Sequence, residues 1–232
     1  MSTDLAVEPR KRTSAGRLWS STIGKKAVMA VTGLALVAFL FAHMLGNLKV
    51  FLGAAAMNDY AAWLRTIGEP VLPAGVFLWI LRAGLVVATA LHITAAVQLS
   101  LRSRRARPVR YVHRQRIRGR SVTGTMRWGG ATLVVYVVWH ILDLTVGVAN
   151  RDYVADQPYH NVVADFGVWW VNLVYIVALV MLGLHLNHGF ASAARTLGIA
   201  GPVTRAVGRG LAVVITAGFL AVPIGVMTGL VA

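Results

Sequence analysis

Five apolar runs, at about 27–52, 75–101, 128–149, 168–194 and 206–231, leave this chain few ways to fold. Each is long enough to cross a bilayer, because about 20 apolar residues rising 1.5 Å apiece span the hydrocarbon. The expected fold is all-α: an integral membrane bundle of five transmembrane helices over residues 27–232, preceded by a basic tail, residues 1–26. Only 13% of the residues are charged and 57% are hydrophobic. A soluble domain carries about 25% charge, so no separate soluble module is expected.

The placement of charge explains the formal net charge of +15 better than nucleic-acid binding does. The tail holds Arg10, Lys11, Arg12, Arg17, Lys25 and Lys26, and the 102–127 linker holds ten arginines. Arg195, Arg205 and Arg209 lie near the fourth connection. The other two loops, 53–74 and 150–167, carry only Arg65 and Arg151, beside Asp59, Glu69, Asp152, Asp156 and Asp165. The positive-inside rule puts the N-terminus in the cytoplasm and the C-terminus outside, in agreement with an odd number of spans. The tail has no small-residue cleavage site after a short apolar core and reads as a tail, not a signal peptide. The absence of cysteine excludes disulfides and thiolate-held metal or iron–sulfur clusters in this chain.

Four spans each carry a histidine: His43, His92, His140 and His185, with His188 also in the fourth. An imidazole in lipid is expensive unless something binds it, so each is a functional candidate by default; the bland alternative is a histidine hydrogen-bonded to a neighbouring helix. Measured from the middle of each span, His43 and His140 lie roughly 5 and 3 Å toward the outside, and His92 and His185 roughly 7 Å toward the cytoplasm. The four form an outer and an inner pair, on levels roughly 10 Å apart. Two facing imidazoles on different helices are what a six-coordinate haem iron requires, so two stacked haems are expected. A zinc or iron carrier would gather its ligands at one level, with carboxylates among them.

Gly33, Gly46, Gly84, Gly183 and Gly189 would let flat macrocycles approach a helix, or serve ordinary helix packing. Arg82 and Asp143 lie at about one level in the second and third spans, where bare charges should be paired. They pair with each other, or Arg82 neutralises an outer haem propionate while Asp143 serves quinone protonation; Arg82 snorkelling to the interface is the structural alternative. His113 and His160 are expected in solvated loops. Trp79, Trp128, Trp169 and Trp170 lie where aromatic belts form, and Trp128 is also a candidate contact to an inner propionate.

With these residues in view, the chain resembles the cytochrome b membrane anchor of succinate dehydrogenase, in the single-subunit, five-helix, di-haem branch shared with quinol:fumarate reductases. The resemblance covers roughly residues 19–231 and rests on WSSTIGKKAVMAVTGLALVAFLFAHMLGN, LHITAAVQLSLRSRRARP, VVWHILD and GLHLNHGFASAARTLG. It implies two haem b groups, with His43 and His140 as axial ligands of the outer iron and His92 and His185 of the inner. It also implies a flavoprotein subunit, an iron–sulfur subunit, and a quinone, expected to be menaquinone, as electron acceptor. The expected place is the cytoplasmic membrane of a bacterium, with the catalytic partners on the cytoplasmic side and a higher oligomer of the complex as a further expectation. The basic tail and the arginine-rich linker would serve as docking surfaces or contacts to anionic lipid.

Two positions depart from the family pattern. Gly183 stands where related fumarate reductases have a proton-carrying glutamate, which puts that route in doubt. Glu69 lies roughly where those enzymes have a quinone-site glutamate, in poorly matching surroundings. Rival readings are a di-haem cytochrome of another membrane oxidoreductase, with no co-purifying flavin, and a haem-free anchor or transporter, with no Soret band.

Overall fold

The computed structural model describes residue 16 and residues 19–106 and 119–232. Most of the basic tail, with Arg107, Arg110, Arg114, Arg116, Arg118 and His113 of the linker, lies outside the described residues. Among the described residues every regular element is helical. Five helices are long and apolar enough to cross a membrane, and in lipid a helix is the form that satisfies all its own backbone groups.

The first, α1, covers Thr22–Asn47 and continues as a 3-10 turn over Leu48–Leu52. Its start is set by Ser21, whose Oγ accepts the Gly24 N–H at 2.8 Å, as an N-cap should. A short helix, α2 (Ala54–Thr66), precedes the second long one, α3 (Val76–Arg105). The third, α4 (Gly119–His140), passes into a π turn over Ile141–Thr145. A second short helix, α5 (Pro158–Phe166), leads into α6 (Trp169–Thr196), and α7 (Pro202–Met227) completes the bundle. Pro223 sits buried within α7, which runs on past it.

The two outer loops of the sequence reading each contain a helix, and the short lengths explain why periodicity missed them. His160 belongs to α5, where its Nε2 meets the Asp152 carbonyl at 3.0 Å. The long helices alternate in direction. At one end Arg102 of α3 donates to the Ser20 carbonyl at 2.9 Å, and Arg127 of α4 donates to Ser103 Oγ of α3 at 3.3 Å. At the other end α2 and α5 pack together, the Tyr159 N–H reaching Asn58 Oδ1 at 3.2 Å and Arg65 pairing with Asp156.

α6 is the central element: it packs on α7, α4 and α1, while α3 leans on α1. Four helices are thus joined in the order α3, α1, α6, α4. One core layer, built on Leu179, Leu182, Leu186, Ala212, Ile215 and Met44, joins α6, α7 and α1. A second, with Val50, Met57, Val162, Phe166, Tyr175 and Val222, ties the short helices to the bundle. Apolar side chains such as Val86 (69% exposed) and Val135 (72%) cover the outside, as on a surface that meets a membrane or another protein.

Candidate functional site

The bundle brings the four histidines together across its diagonals. His43 of α1 faces His140 of α4 with ring centroids 6.0 Å apart, and His92 of α3 faces His185 of α6 at 6.4 Å. Local packing sets each ring. Phe39, one turn before His43, stacks on it at 5.3 Å, and Phe219 of α7 tilts against it at 5.7 Å. Tyr136 stacks on His140 at 5.8 Å. Around the other pair glycines leave the room: a Cβ on Gly33 would lie 3.1 Å from His92 Cε1, and one on Gly130 would lie 3.7 Å from His185 Cε1.

The same contacts measure the separation of the two levels. On α1, Gly33 marks the His92 level and His43 the other; on α4, Gly130 and His140 do the same; on α6, His185 and Tyr175 do. Each interval is ten residues, about 15 Å of helix. The levels are therefore wider apart than the roughly 10 Å inferred from span centres, because the real spans are offset along the bundle.

Hydrogen bonds settle which ring nitrogen is free. His92 Nδ1 lies 3.0 Å from the Met29 carbonyl, which can only accept, so Nδ1 carries the proton and Nε2 keeps its lone pair. Thr32 Oγ1 is 3.3 Å from the same nitrogen. His140 Nδ1 is 3.3 Å from Tyr175 Oη, and Tyr175 donates its own proton to Asp143 Oδ2 at 2.8 Å. The hydroxyl must accept from Nδ1–H, which again leaves Nε2 free. Metal-bound histidines are commonly fixed in this way by a carbonyl or a carboxylate-backed partner. His185 Nδ1 is buried without a partner, and His43 engages its neighbours through its ring faces.

Beyond His140 the chain builds a polar cluster. Asp143 is three residues on, hence on the same face, and is fully buried, at 0% exposure. The π turn ends in a loop that folds back: the Ala149 N–H reaches the Leu142 carbonyl at 3.3 Å, and Tyr153 Oη donates to the Thr145 carbonyl at 3.2 Å. Gly147 takes φ +82° with the Tyr153 ring where a Cβ would be, so only glycine fits that bend. Asn150 and Asn161 then lash the loop to α5.

This brings Asp165 of α5, 4% exposed, against Asp143. Asp143 Oδ1 and Asp165 Oδ2 are both buried with no N–H or hydroxyl partner. Ionised carboxylates only accept, so a hydrogen bond between the two needs a proton on one of them. Burial, then the hydrogen bond to Asp143 and its charge, pushes the Asp165 carboxyl up to about 8.

The other residues singled out by sequence scatter. Arg82 does not meet Asp143: its guanidinium lies over the Trp79 ring at 4.9 Å, exposed, and Asp143 spends its contacts on Tyr175 and Asp165. The α3 face that carries Arg82 looks outward, which decides against the Arg82–Asp143 pair. Trp128 is exposed at the arginine-rich end of α4, and Glu69 is exposed in the turn after α2. His188 turns Nδ1 to the Leu184 carbonyl of its own helix at 2.8 Å. Gly183 packs on α7, where a Cβ would meet Thr216 Oγ1 at 2.7 Å, and Gly46 packs on the Tyr60 ring. Sequence reasoning passed over Gly130, Tyr175 and the pairing of Asp165. Tyr175 had one signal, a polar group in an apolar span ten residues before a candidate ligand; the other two depend on which helices touch.

Comparison with family models, with curated proteins and with solved structures finds no match for this chain.

Proposed function

We propose that the chain is a di-haem membrane cytochrome b, with one haem between His43 and His140 and the other between His92 and His185. The observation that carries this is the facing of two histidine pairs at 6.0 and 6.4 Å. A metal bonded to two imidazole nitrogens at about 2 Å sets ring centroids about 6 Å apart. No group of three or more histidine, aspartate or glutamate side chains capable of holding a metal occurs among the described residues. A protein-only zinc or iron site needs more donors than two, whereas a haem would bring its own ring nitrogens and would be held here by the two histidines of a pair. The free Nε2 of His92 and of His140 supports the same reading.

More particularly, the chain is the quinone-reactive anchor of a succinate:quinone oxidoreductase in the cytoplasmic membrane of a bacterium. This rests on the resemblance of the four histidine-bearing segments and on the charge asymmetry that would put the arginine-rich end in the cytoplasm. A flavoprotein and an iron–sulfur subunit would dock there, and menaquinone would react near the outer pair. When bound, haem supplies one-electron transfer. The protein's own work is to hold each iron by two imidazoles, fix their tautomers through Met29 and Tyr175, and exclude water with apolar helices. Arg82 and Trp128 remain candidate propionate contacts, and Glu69 and Asp143 candidate quinone contacts.

The test is a reduced-minus-oxidised spectrum with haem quantitation on the purified complex and on His→Ala variants at 43, 92, 140 and 185. Two b haems per chain are expected, one spectral component falling with 43 and 140 and the other with 92 and 185. Flavin and succinate oxidation should co-purify. Haem without flavin favours another membrane oxidoreductase, and a folded complex without a Soret band refutes the cytochrome reading.

A further inference from the structure

Beside α2, at the end of the bundle where α1 runs out, a cavity of about 480 Å³ is lined by Lys49, Ala56, Asp59, Tyr60 and Trp63. Its walls follow from the local chain. Lys49 belongs to the 3-10 turn that extends α1, and Gly53, at φ +91°, bends the chain from that turn into α2. On α2 the spacing of Ala56, Asp59, Tyr60 and Trp63 puts all four on one helix face. Gly46 lets the Tyr60 ring lie against α1, since a Cβ there would come 2.9 Å from Tyr60 Cε1.

The cavity combines an aromatic floor with two opposite charges. The Tyr60 and Trp63 rings stack with centroids 5.7 Å apart, and Lys49 Nζ lies over the Tyr60 ring at 5.2 Å. Trp63 is 56% exposed, as a tryptophan at the membrane–water interface is. The ion pair at this end, between Arg65 and Asp156, uses neither Lys49 nor Asp59, and these two do not pair with each other. A cation and a carboxylate held apart in one cavity suit a ligand that carries both signs of charge.

We propose that this cavity seats the headgroup of a zwitterionic aminophospholipid, with Lys49 holding its phosphate and Asp59 its ammonium. The charge balance selects the ligand. A lipid with phosphate alone would set an anion against Asp59, and a neutral quinone head would leave that carboxylate without a counter-charge. Anionic lipid is drawn instead to the opposite end of the bundle, where Arg102, Arg104, Arg105 and Arg127 lie. A headgroup held by both side chains bridges the turn after α1 to α2 and so stabilises the seat of α2. The inference needs only a bundle in a membrane and is independent of the haem reading.

Native mass spectrometry tests it on the purified protein, stripped of lipid in detergent and titrated with phosphatidylethanolamine, phosphatidylglycerol or menaquinone. The wild type should bind one phosphatidylethanolamine per chain more tightly than phosphatidylglycerol. Lys49→Gln should weaken that binding about fivefold, the worth of one basic side chain at a lipid surface, and Lys49→Arg should keep it. Asp59→Asn should weaken phosphatidylethanolamine and strengthen phosphatidylglycerol, whereas a merely structural aspartate would weaken both alike. Melting midpoints taken without lipid identify any variant that fails to fold. Equal binding of the two lipids by the wild type, or a preference for phosphatidylglycerol, overturns the proposal. Binding unchanged in both folded variants, Lys49→Gln and Asp59→Asn, overturns it too. Menaquinone binding lost in Lys49→Gln, with phosphatidylethanolamine unaffected, gives the cavity to the quinone and also overturns it.

Discussion

Replacing Tyr175 by Phe removes one oxygen and keeps a ring that already packs on Phe166 at 4.8 Å and Tyr136 at 5.2 Å. The hydroxyl serves two buried groups: it donates to Asp143 Oδ2 at 2.8 Å and accepts from His140 Nδ1 at 3.3 Å. Leaving a buried polar group unpaired costs about 1–3 kcal/mol, with the higher end for a charged acceptor. The short bond to Asp143 should therefore account for most of a loss of about 2–3 kcal/mol. At this chain length each kcal/mol lowers the melting midpoint by about 2–4 °C. Loss of the partner that orients a ligating histidine lowers metal affinity by about 10–100-fold. The inner pair lies ten residues away along α6, about 15 Å, and shares no hydrogen bond with Tyr175. The expected outcome is selective: under haem-limited reconstitution the component assigned to His43 and His140 falls, and the one assigned to His92 and His185 stays. Haem titration followed by redox-difference spectra reads both. Equal loss of the two, or no loss at either, refutes the assignment of Tyr175 as the residue that positions His140.

The raised proton affinity of Asp165 has a sign that can be checked. Its folded-state value of about 8 lies above the ordinary carboxyl value of 3.8, so between these the folded protein holds a proton the unfolded chain has lost. Stability should then fall as pH rises from about 4 to about 8, and Asp165→Asn should flatten that slope in thermal melts. Gly183→Glu should destabilise the bundle by about 1–3 kcal/mol or more, since Thr216 fills the space; a normal melting midpoint would show that α6 and α7 can part there. His188→Ala should leave both haem components intact, because it is His185 and not His188 whose ring faces His92 across the bundle. Loss of the inner component would make His188 the ligand instead of His185.

Much of the architecture could be read along the chain because a membrane constrains one-dimensional pattern. The apolar runs gave helices close to their observed bounds: 75–101 became Val76–Arg105, and 168–194 became Trp169–Thr196. The depth of each histidine followed from counting residues at a fixed rise, which is why His43 meets His140 and His92 meets His185. Short elements escaped, since α2 and α5 are stabilised by docking on the bundle end and not by a long hydrophobic period.

What tertiary structure alone decided were the partners that sit sideways in space. Sequence put Arg82 and Asp143 at one level and could not say which way each faced. Folding turned Arg82 outward onto Trp79 and Asp143 inward onto Tyr175. The acid pair is the clearest case. Asp165 read as one more charge in an outer loop, and it became half of a buried pair because the loop after the π turn, bent at Gly147 and lashed by Asn150 and Asn161, folds α5 over the bundle end. Composition and rise per residue determine how deep a side chain lies along its own helix; helix rotation and loop closure, which depend on every packed neighbour at once, determine what it touches.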